Sequence, residues 1–199
     1  MTTVESGADE SKKITIMKKG DYTVHVLVEE VQGIEQKLID QLPKPMVKLT
    51  CFEESKRTSA VKNGCISYSF EEHFYFEKSN LSAKQLENSK ILIEVYDSSN
   101  SKNRKDYFGI YEFDLQYIYS MKNHCLKNNW LALANPESDD LSKVRGYLKV
   151  SISVLNDLDP RVELKISDKS VDISFPTQIK KKYKLLSFYI IRTEKLPEM

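Results

Sequence analysis

Apolar and polar residues alternate with a period of two over much of the chain after residue 20. In residues 22–29 four apolar side chains fall on one face and polar ones on the other, with Leu27 the exception. Residues 148–154 alternate most cleanly, with lysine and serines on the polar face. This period is typical of half-buried strands. The same pattern predicts shorter strands at 46–52, 57–61, 70–76, 91–97, 107–113 and 130–133.

Clusters of turn-forming residues separate these predicted strands. Pro-Lys-Pro stands at 43–45, Lys-Asn-Gly at 62–64, and a polar stretch fills 98–105. Helical signal is limited to one or two turns at 115–121 and a single turn at 82–88. Many short strands separated by turns indicate two packed antiparallel sheets. We therefore predict an all-β sandwich with one short helix.

The pattern also divides the chain along its length. Clean alternation stops after residue 156, and an apolar strand follows near the end at 183–191. That strand either begins a second domain or pairs with the first strand of the sandwich. The predicted organisation is a flexible polar tail at 1–20, the sandwich at 21–156, a connecting segment at 157–182 with strand-like pieces at 162–166 and 171–175, and an extra strand segment at 183–199.

Composition and charge restrict the function. Hydrophobic residues make up 40% and charged residues 30%, and the formal net charge is +1, so a charged partner must be held by a local patch. No run of about 18 apolar residues occurs, the first residues lack the apolar core of a secretory signal, and position 2 is not glycine. We therefore expect a cytoplasmic location.

Candidate chemistry from cysteine and histidine is sparse. The three cysteines are odd in number and widely spaced, so neither a zinc site nor a disulfide framework is predicted. His25, His73 and His124 have no carboxylate or cysteine at a diagnostic spacing, and no phosphate-binding loop occurs. Cys125 follows His124, but neighbouring residues of a strand or loop point apart. We expect no enzyme and no nucleic-acid partner.

Several motifs resemble, in order, those of C2 domains. PMVKL at 45–49 is followed by KRTS at 56–59, and YSFEE opens an aromatic stretch at 68–76. ILIEVYD at 91–97 is then followed by DYFG at 106–109. Single motifs of this kind are weak, but their order and spacing together are specific. The resemblance implies an eight-stranded β-sandwich of the C2 type.

Three further stretches resemble the ferlin family in particular. They are WLALANPE at 130–137, GYLKVSISVL at 146–155, and the final segment that ends in RTEKLPEM. The resemblance covers residues 21–199, as the second C2 domain, the segment after it and the first strand of the next C2 domain. It implies a role in vesicle fusion, exocytosis or membrane repair within a long, tail-anchored protein of tandem C2 domains. The Lys, Asn and Ile bias resembles a protist member.

The resemblance also assigns candidate calcium ligands. Calcium requires six to eight oxygens, mostly from carboxylates. Asp97 and Asp106 match acidic positions of one loop, but Ser99 stands where another acid is expected. Lys44 replaces the acid of the other loop, although Asp40 lies nearby. An ammonium group opposes a bound cation. We expect no cofactor, with a weak calcium site as the alternative.

Matching positions for a lipid-binding face are Lys48, Lys56, Arg57 and Lys62. Alternation predicts that Lys48 points out of the core, that Lys56 and Lys62 share one face, and that Arg57 lies on the other. Glutamates at 53–54 partly cancel this charge. The alternative is a solvated basic strand, since lysines also protect sheet edges.

Two functions follow from these features. The first is a module that docks on anionic phospholipid membranes, at the cytosolic face of a vesicle or of the plasma membrane, without tight calcium binding. The second is a scaffold that packs on neighbouring domains of a tandem-C2 protein and never touches lipid. The oligomeric state is left open by the sequence.

Overall fold

The computed structural model describes residues 18–36, 40–100, 107–134, 143–166 and 173–174. These residues form two packed sheets and two short α-helices. The strands are β1 (Gly20–Gln32), β2 (Pro45–Cys51), β3 (Glu54–Arg57), β4 (Tyr68–Leu81), β5 (Lys90–Asp97), β6 (Tyr107–Asp114), β7 (Cys125–Ala134), β8 (Val144–Asn156) and β9 (Ile173–Ser174), and the helices are α1 (Ala83–Glu87) and α2 (Leu115–Ser120).

The two sheets have the architecture that the sequence predicts. One sheet has the order β4-β1-β8-β7-β9 and the other the order β3-β2-β5-β6. All pairs among β1–β8 are antiparallel, and only the two-residue β9 runs parallel to its neighbour β7. The predicted eight-stranded antiparallel sandwich is confirmed. β9 lies within the strand-like stretch predicted at 171–175, but the strand-like piece predicted at 162–166 is wrong, because residues 161–166 form no strand. The strand expected at 183–191 falls outside the described residues.

The core lies between the inward faces of the two sheets. Val24, Val26 and Val28 of β1 are fully buried, and they face Ile91 and Ile93 of the other sheet across one continuous apolar cluster. Leu27, which breaks the alternation, points to the opposite side of β1. It packs there against Leu164 and Cys125 in a second, smaller cluster. The segment after β8 therefore crosses the outer face of the five-stranded sheet.

The predicted strand at 57–61 is wrong, because the strand ends where it was expected to begin. β3 spans Glu54–Arg57 and joins β2 through Phe52 and Glu53, whose φ angles are 49° and 68°. Two consecutive positive φ angles make the tight turn that suits a two-residue hairpin. Such turns favour Asn-Gly or Asp-Gly, so Phe-Glu gave no sequence signal for it.

Both stretches with helical signal are helical. α1 begins with a capping box, in which the Ser82 hydroxyl and the Gln85 side chain each bond the other's backbone N–H. α2 buries Leu115 and Ile118 at the same end of the sandwich. Neither described helix has the length and apolar content needed to cross a bilayer.

Three connections meet at the opposite end, which we call the loop end. They are the β1–β2 connection (33–44), the β3–β4 connection (58–67) and the start of the β5–β6 connection (98–100). Backbone hydrogen bonds tie them together: Cys65 donates to Pro43 (2.8 Å), Ile34 to Ile66 (2.9 Å) and Ser98 to Lys44 (2.9 Å). The loop end is therefore a connected surface in which each described connection holds another.

Candidate functional site

The candidate basic residues do not form a single group of free cations. Lys48 on β2 lies directly opposite Arg57 on β3, so these two share the outer face of the four-stranded sheet. The Lys48 ammonium lies 2.6 Å from a Glu94 carboxylate oxygen, and the other oxygen of Glu94 accepts a hydrogen bond from Tyr107 (3.0 Å). The charge of Lys48 is therefore compensated, while Arg57 is exposed.

Lys56 does not lie with Lys48 on the outer face. It is in register with the buried Leu49, so its stem runs towards the gap between the two sheets. Its ammonium donates to the Tyr75 carbonyl of the other sheet and lies 5.1 Å from the centre of the Phe76 ring. Lys56 thus connects the sheet edges, and Lys62 is exposed in a bend of the β3–β4 connection.

The carboxylate of Asp97 is used as a cap at the end of β5. One oxygen accepts hydrogen bonds from the Lys44 N–H (3.1 Å), the Ser99 N–H (3.0 Å) and the Ser99 hydroxyl (2.7 Å). Because three donors direct their hydrogens at this one oxygen, its lone pairs are occupied and it is poorly placed to bind a cation as well. Ser99, which replaces an expected acid, supplies two of the three donors.

Of the other candidate acids, only Asp40 lies among the described residues. Asp40 is exposed in a turn, and Asp106 lies outside the described residues. Within the described part of the chain, no three His, Cys, Asp or Glu side chains converge as a metal would require. Calcium needs six to eight oxygens, and the absence of a tight site stays a prediction, because Asp106 lies outside the described residues.

The loop end exposes apolar side chains that the sequence reasoning missed. Leu42 is 45% exposed and Ile66 is 49% exposed, and Tyr68 stands beside them at the start of β4. A β-carbon at Gly64 would lie 2.5 Å from the Leu42 carbonyl oxygen, so glycine allows the two connections to touch. The available signal was an apolar residue within two positions of a turn-forming residue, Pro43 or Gly64.

Two histidines that are distant in sequence meet on the outer face of the five-stranded sheet. His25 and His73 lie 2.9 Å apart through ring nitrogens, and Tyr75 stacks on His25 with ring centres 4.3 Å apart. Burial, with a smaller contribution from His73, lowers the pKa of His25 to about 4. His25 is therefore neutral at physiological pH.

The cysteines are poor nucleophiles. Burial raises the pKa of Cys125 to about 11 and that of Cys51 to about 12, so both thiols stay protonated at neutral pH. His124, the sequence neighbour of Cys125, stacks on Tyr119 with ring centres 4.0 Å apart and lies 3.9 Å from Asp159. The adjacent His-Cys pair thus has separate structural roles.

Comparisons with known proteins agree with this architecture. A sequence model of the C2 domain family matches residues 22–133. The chain is 28% identical to human (Homo sapiens) myoferlin and 26% identical to Xenopus tropicalis myoferlin, in each case over 95% of its own length and 9% and 10% of theirs. It spans about a tenth of the length of these curated relatives. The matches confirm the resemblance to ferlins.

Solved structures give the same fold at low sequence identity. A structure of Extended-Synaptotagmin 2 that holds its SMP domain and two C2 domains superposes with a TM-score of 0.53 at 14% identity, covering 68% of this chain and 28% of that one. A C2 domain-containing protein from a putative elicitor-responsive gene gives 0.52 at 16% identity, covering 72% and 96%. At these identities the likeness concerns the fold alone.

Proposed function

The chain belongs to the C2 domain family, and on this premise we propose that it is a non-enzymatic module that docks on anionic phospholipid membranes through its loop end. The proposal places it at the cytosolic face of a vesicle or of the plasma membrane, as a peripheral part of a longer ferlin-like protein. Its role there is in vesicle fusion and exocytosis. Docking does not require a tightly bound calcium ion.

The observation that carries the proposal is the pair of exposed apolar side chains on the interlocked connections. Leu42 and Ile66 are each about half exposed, and Gly64 packs between their connections. Moving such a side chain from water into the acyl region is favourable by roughly 1.5–3 kcal/mol when burial is complete. The hydrogen bonds between Cys65 and Pro43 and between Ile34 and Ile66 hold both side chains in place before contact.

Basic residues beside these apolar tips supply the attraction to anionic lipid. Lys62 is exposed two residues before Gly64, and Arg57 is exposed at the end of β3 that leads into the same connection. A cation near an anionic membrane surface contributes about 1 kcal/mol. Lys48 and Lys56 contribute less, because Glu94 and Glu54 lie 2.6 Å and 3.2 Å from their ammonium groups. The β5–β6 connection adds three more cations by sequence, Lys102, Arg104 and Lys105.

The calcium-independent part of the proposal is supported by Asp97. Its carboxylate already accepts three hydrogen bonds that fix the start of β2 and the end of β5. A cation that binds the oxygen shared by these donors would have to displace them. These hydrogen bonds support a structural role for Asp97 in a fixed turn.

A second function remains a candidate because the chain spans about a tenth of its curated relatives. The apolar tips at the loop end would pack equally well against a neighbouring domain of a tandem-C2 protein. In that case the module is a scaffold and does not contact lipid.

Co-sedimentation with vesicles separates the two functions. Vesicles of phosphatidylcholine with phosphatidylserine and a phosphoinositide are mixed with the purified chain, with calcium and with chelator. We expect binding in both conditions. Leu42→Ser combined with Ile66→Ser weakens it by roughly tenfold or more, because two apolar contacts are lost. Lys62→Glu weakens it by at least about fivefold, because the loss of one cation removes about 1 kcal/mol and the new anion is repelled.

Matched variants at the other end of the sandwich serve as controls. Leu158 is 93% exposed after β8, and Lys84 is exposed on α1. Leu158→Ser and Lys84→Glu are expected to bind as the unmodified chain does. Absence of binding in every condition favours the scaffold, binding only with calcium refutes the calcium-independent mode, and equal losses in the control variants refute the loop end as the docking site.

A further inference from the structure

A groove of about 750 Å³ lies at the end of the sandwich opposite the loop end. Its floor is the outer face of the five-stranded sheet, at Thr23 and His25 of β1, Tyr75 of β4 and Ser153 of β8. The chain after β8 forms one wall at 157–163. At about 3.3 Å per residue, the seven-residue step from His25 to Gln32 separates the groove from the loop end by about 20 Å.

The floor of the groove combines stacked aromatic rings with a buried hydroxyl that has no hydrogen-bond partner among the described residues. The stacked rings of His25 and Tyr75 offer a neutral aromatic surface at physiological pH, which is the kind of surface over which cations bind. The Ser153 side chain is fully buried, and its hydroxyl has no hydrogen-bond partner among the described residues. A buried hydroxyl of this kind favours an incoming polar group.

The rim is acidic. Four carboxylates line it, Glu77, Asp157, Asp159 and Glu163, against the single guanidinium of Arg161. Asp159 accepts from the Asn156 N–H (2.8 Å), and Glu163 lies 3.0 Å from Lys165. Within the described residues, the side chains of Glu77 and Asp157 have no hydrogen-bond or ion-pair partner. Two free carboxylates over an aromatic floor fit lysine or arginine side chains.

A basic segment of this chain enters the described structure beside the groove. Lys12-Lys13-Ile14-Thr15-Ile16-Met17 leads directly into Lys18, whose N–H and carbonyl both bond the Tyr22 hydroxyl (3.1 Å and 2.7 Å). That phenol is close enough to Asp159, on the groove rim, for the carboxylate to contribute to its raised pKa, which is caused mainly by burial. Lys18 is thus next to the rim.

The length of residues 12–17 and their apolar–polar pattern both suit the groove. Five or six residues span at most about 20 Å, so Lys12 and Lys13 can lie up to that far from Lys18, which is beside the groove rim. Alternation of Ile14 and Ile16 with Thr15 is a strand pattern, and Leu155 and Val162 give the groove an apolar side for it. The other basic run, 180–182, follows Ser174 of β9. In the sheet, β8 and β7 lie between β9 and β1.

We propose that the segment 12–17 docks in this groove, with Lys12 and Lys13 against Glu77 and Asp157 and its isoleucines against the wall of the groove. The docked segment covers the outer face of the sheet and leaves the loop end free. This inference does not depend on the proposed membrane function, because it concerns the opposite end of the molecule.

Zero-length carbodiimide cross-linking of the full chain tests the proposal, because it joins a lysine to a carboxylate only when the two are in contact. Mass spectrometry is expected to find Lys12 or Lys13 joined to Glu77 or Asp157. Lys12→Glu with Lys13→Glu, or Glu77→Lys with Asp157→Lys, is expected to abolish these cross-linked peptides, because each variant lacks either the amine or the carboxylate that the amide bond requires. Combining all four substitutions exchanges the charges and restores cross-links between the same positions.

Control variants and a mixture of ¹⁵N-labelled and unlabelled chains define the results that would contradict the proposal. Charge reversal at 180–182 is expected to leave the cross-links unchanged. Cross-links from the lysines at 180–182 to the groove, in place of Lys12 and Lys13, would overturn the assignment of the segment. If the cross-linked peptides join a ¹⁵N-labelled chain to an unlabelled chain, the segment in the groove belongs to a second copy of the protein, and docking within one chain is overturned. No cross-link, or no recovery on charge exchange in a variant with unchanged circular dichroism, would overturn the proposal.

Discussion

The Asp97 side chain ends β5 and holds the neighbouring connection in place. Three donors converge on one of its oxygens, and one of them is the backbone of Lys44 just before β2. A hydrogen bond to a charged group contributes about 1.5–3 kcal/mol. Asp97 therefore links the end of β5 to the residue before β2, and its role as a metal ligand stays a prediction.

Asp97→Ala is expected to lower the free energy of unfolding by about 1–3 kcal/mol, because the three donors lose their common acceptor. Urea denaturation measures this change, and Asp40→Ala, in an exposed turn, is the matched control with little expected effect. Adding calcium is expected to leave the unfolding midpoint of the unmodified chain where it is. A midpoint that rises with calcium and no longer does so in Asp97→Ala would show that this carboxylate is a ligand after all.

His25 gives the stability a pH dependence of defined sign. Its pKa is about 4 in the folded chain and about 6.5 when unfolded, chiefly because burial disfavours the imidazolium. Between these values the unfolded chain takes up a proton that the folded chain does not. The free energy of unfolding therefore falls as the pH drops from 6.5 to 4, by at most about 1.4 kcal/mol per pH unit, and this contribution levels off below 4.

His25→Gln is expected to reduce that slope, measured by urea denaturation at several pH values, whereas His124→Gln keeps the contribution of His25. Carboxylates also titrate in this range, so the informative quantity is the difference in slope between the variant and the unmodified chain. Equal slopes in the two proteins would mean that His25 binds its proton as readily folded as unfolded.

At the scale of elements, the strands that bury one face were predictable from alternation. β2, β5 and β8 agree with the predicted ranges to within a few residues, because the buried and exposed faces impose the period of two. β3 was not predictable, since a short edge strand buries little and its turn lacks the usual residues. The exception at Leu27 was a real signal of a second covered face, but the sequence alone did not say what covers it.

The candidate site was less predictable than the fold. The sequence shows which residues are basic, but their partners depend on how the strands pair. Glu94 of β5 binds Lys48, and the Tyr75 carbonyl of the other sheet accepts a hydrogen bond from Lys56. Leu42 and Ile66 were missed because the apolar residues of these two connections follow no regular period. Only the hydrogen bonds between connections bring the two side chains to one surface.

The segment after β8 packs as part of the sandwich. Leu164 is buried against Leu27 and Cys125 on the outer face of the five-stranded sheet. Leu164→Ala is expected to lower the free energy of unfolding by about 2–5 kcal/mol, as for other buried leucines. Leu158→Ala, in the same segment but exposed, is expected to change it by less than about 0.5 kcal/mol. Equal, small effects in urea denaturation would mean that 157–166 is a detachable linker.

At the scale of the whole molecule, the sandwich separates two surfaces. The loop end presents apolar tips and free cations, while the groove at the other end presents carboxylates over an aromatic floor. With a net charge of only +1, the chain has little overall field, so in the proposed function this local separation decides which end approaches an anionic membrane. The fold thus distributes charged and apolar side chains unevenly between the two ends, which the composition does not show.

Membrane depth at the loop end is the most direct measure of this account. A tryptophan placed by Ile66→Trp is compared with one placed by Leu158→Trp, using anionic vesicles that contain brominated lipids in the presence of chelator, with the native Trp130 signal of the unmodified chain as the baseline. We predict strong quenching for the tryptophan at position 66 and baseline quenching for the one at 158. Baseline quenching at both positions, or stronger quenching at 158, would contradict docking through the loop end.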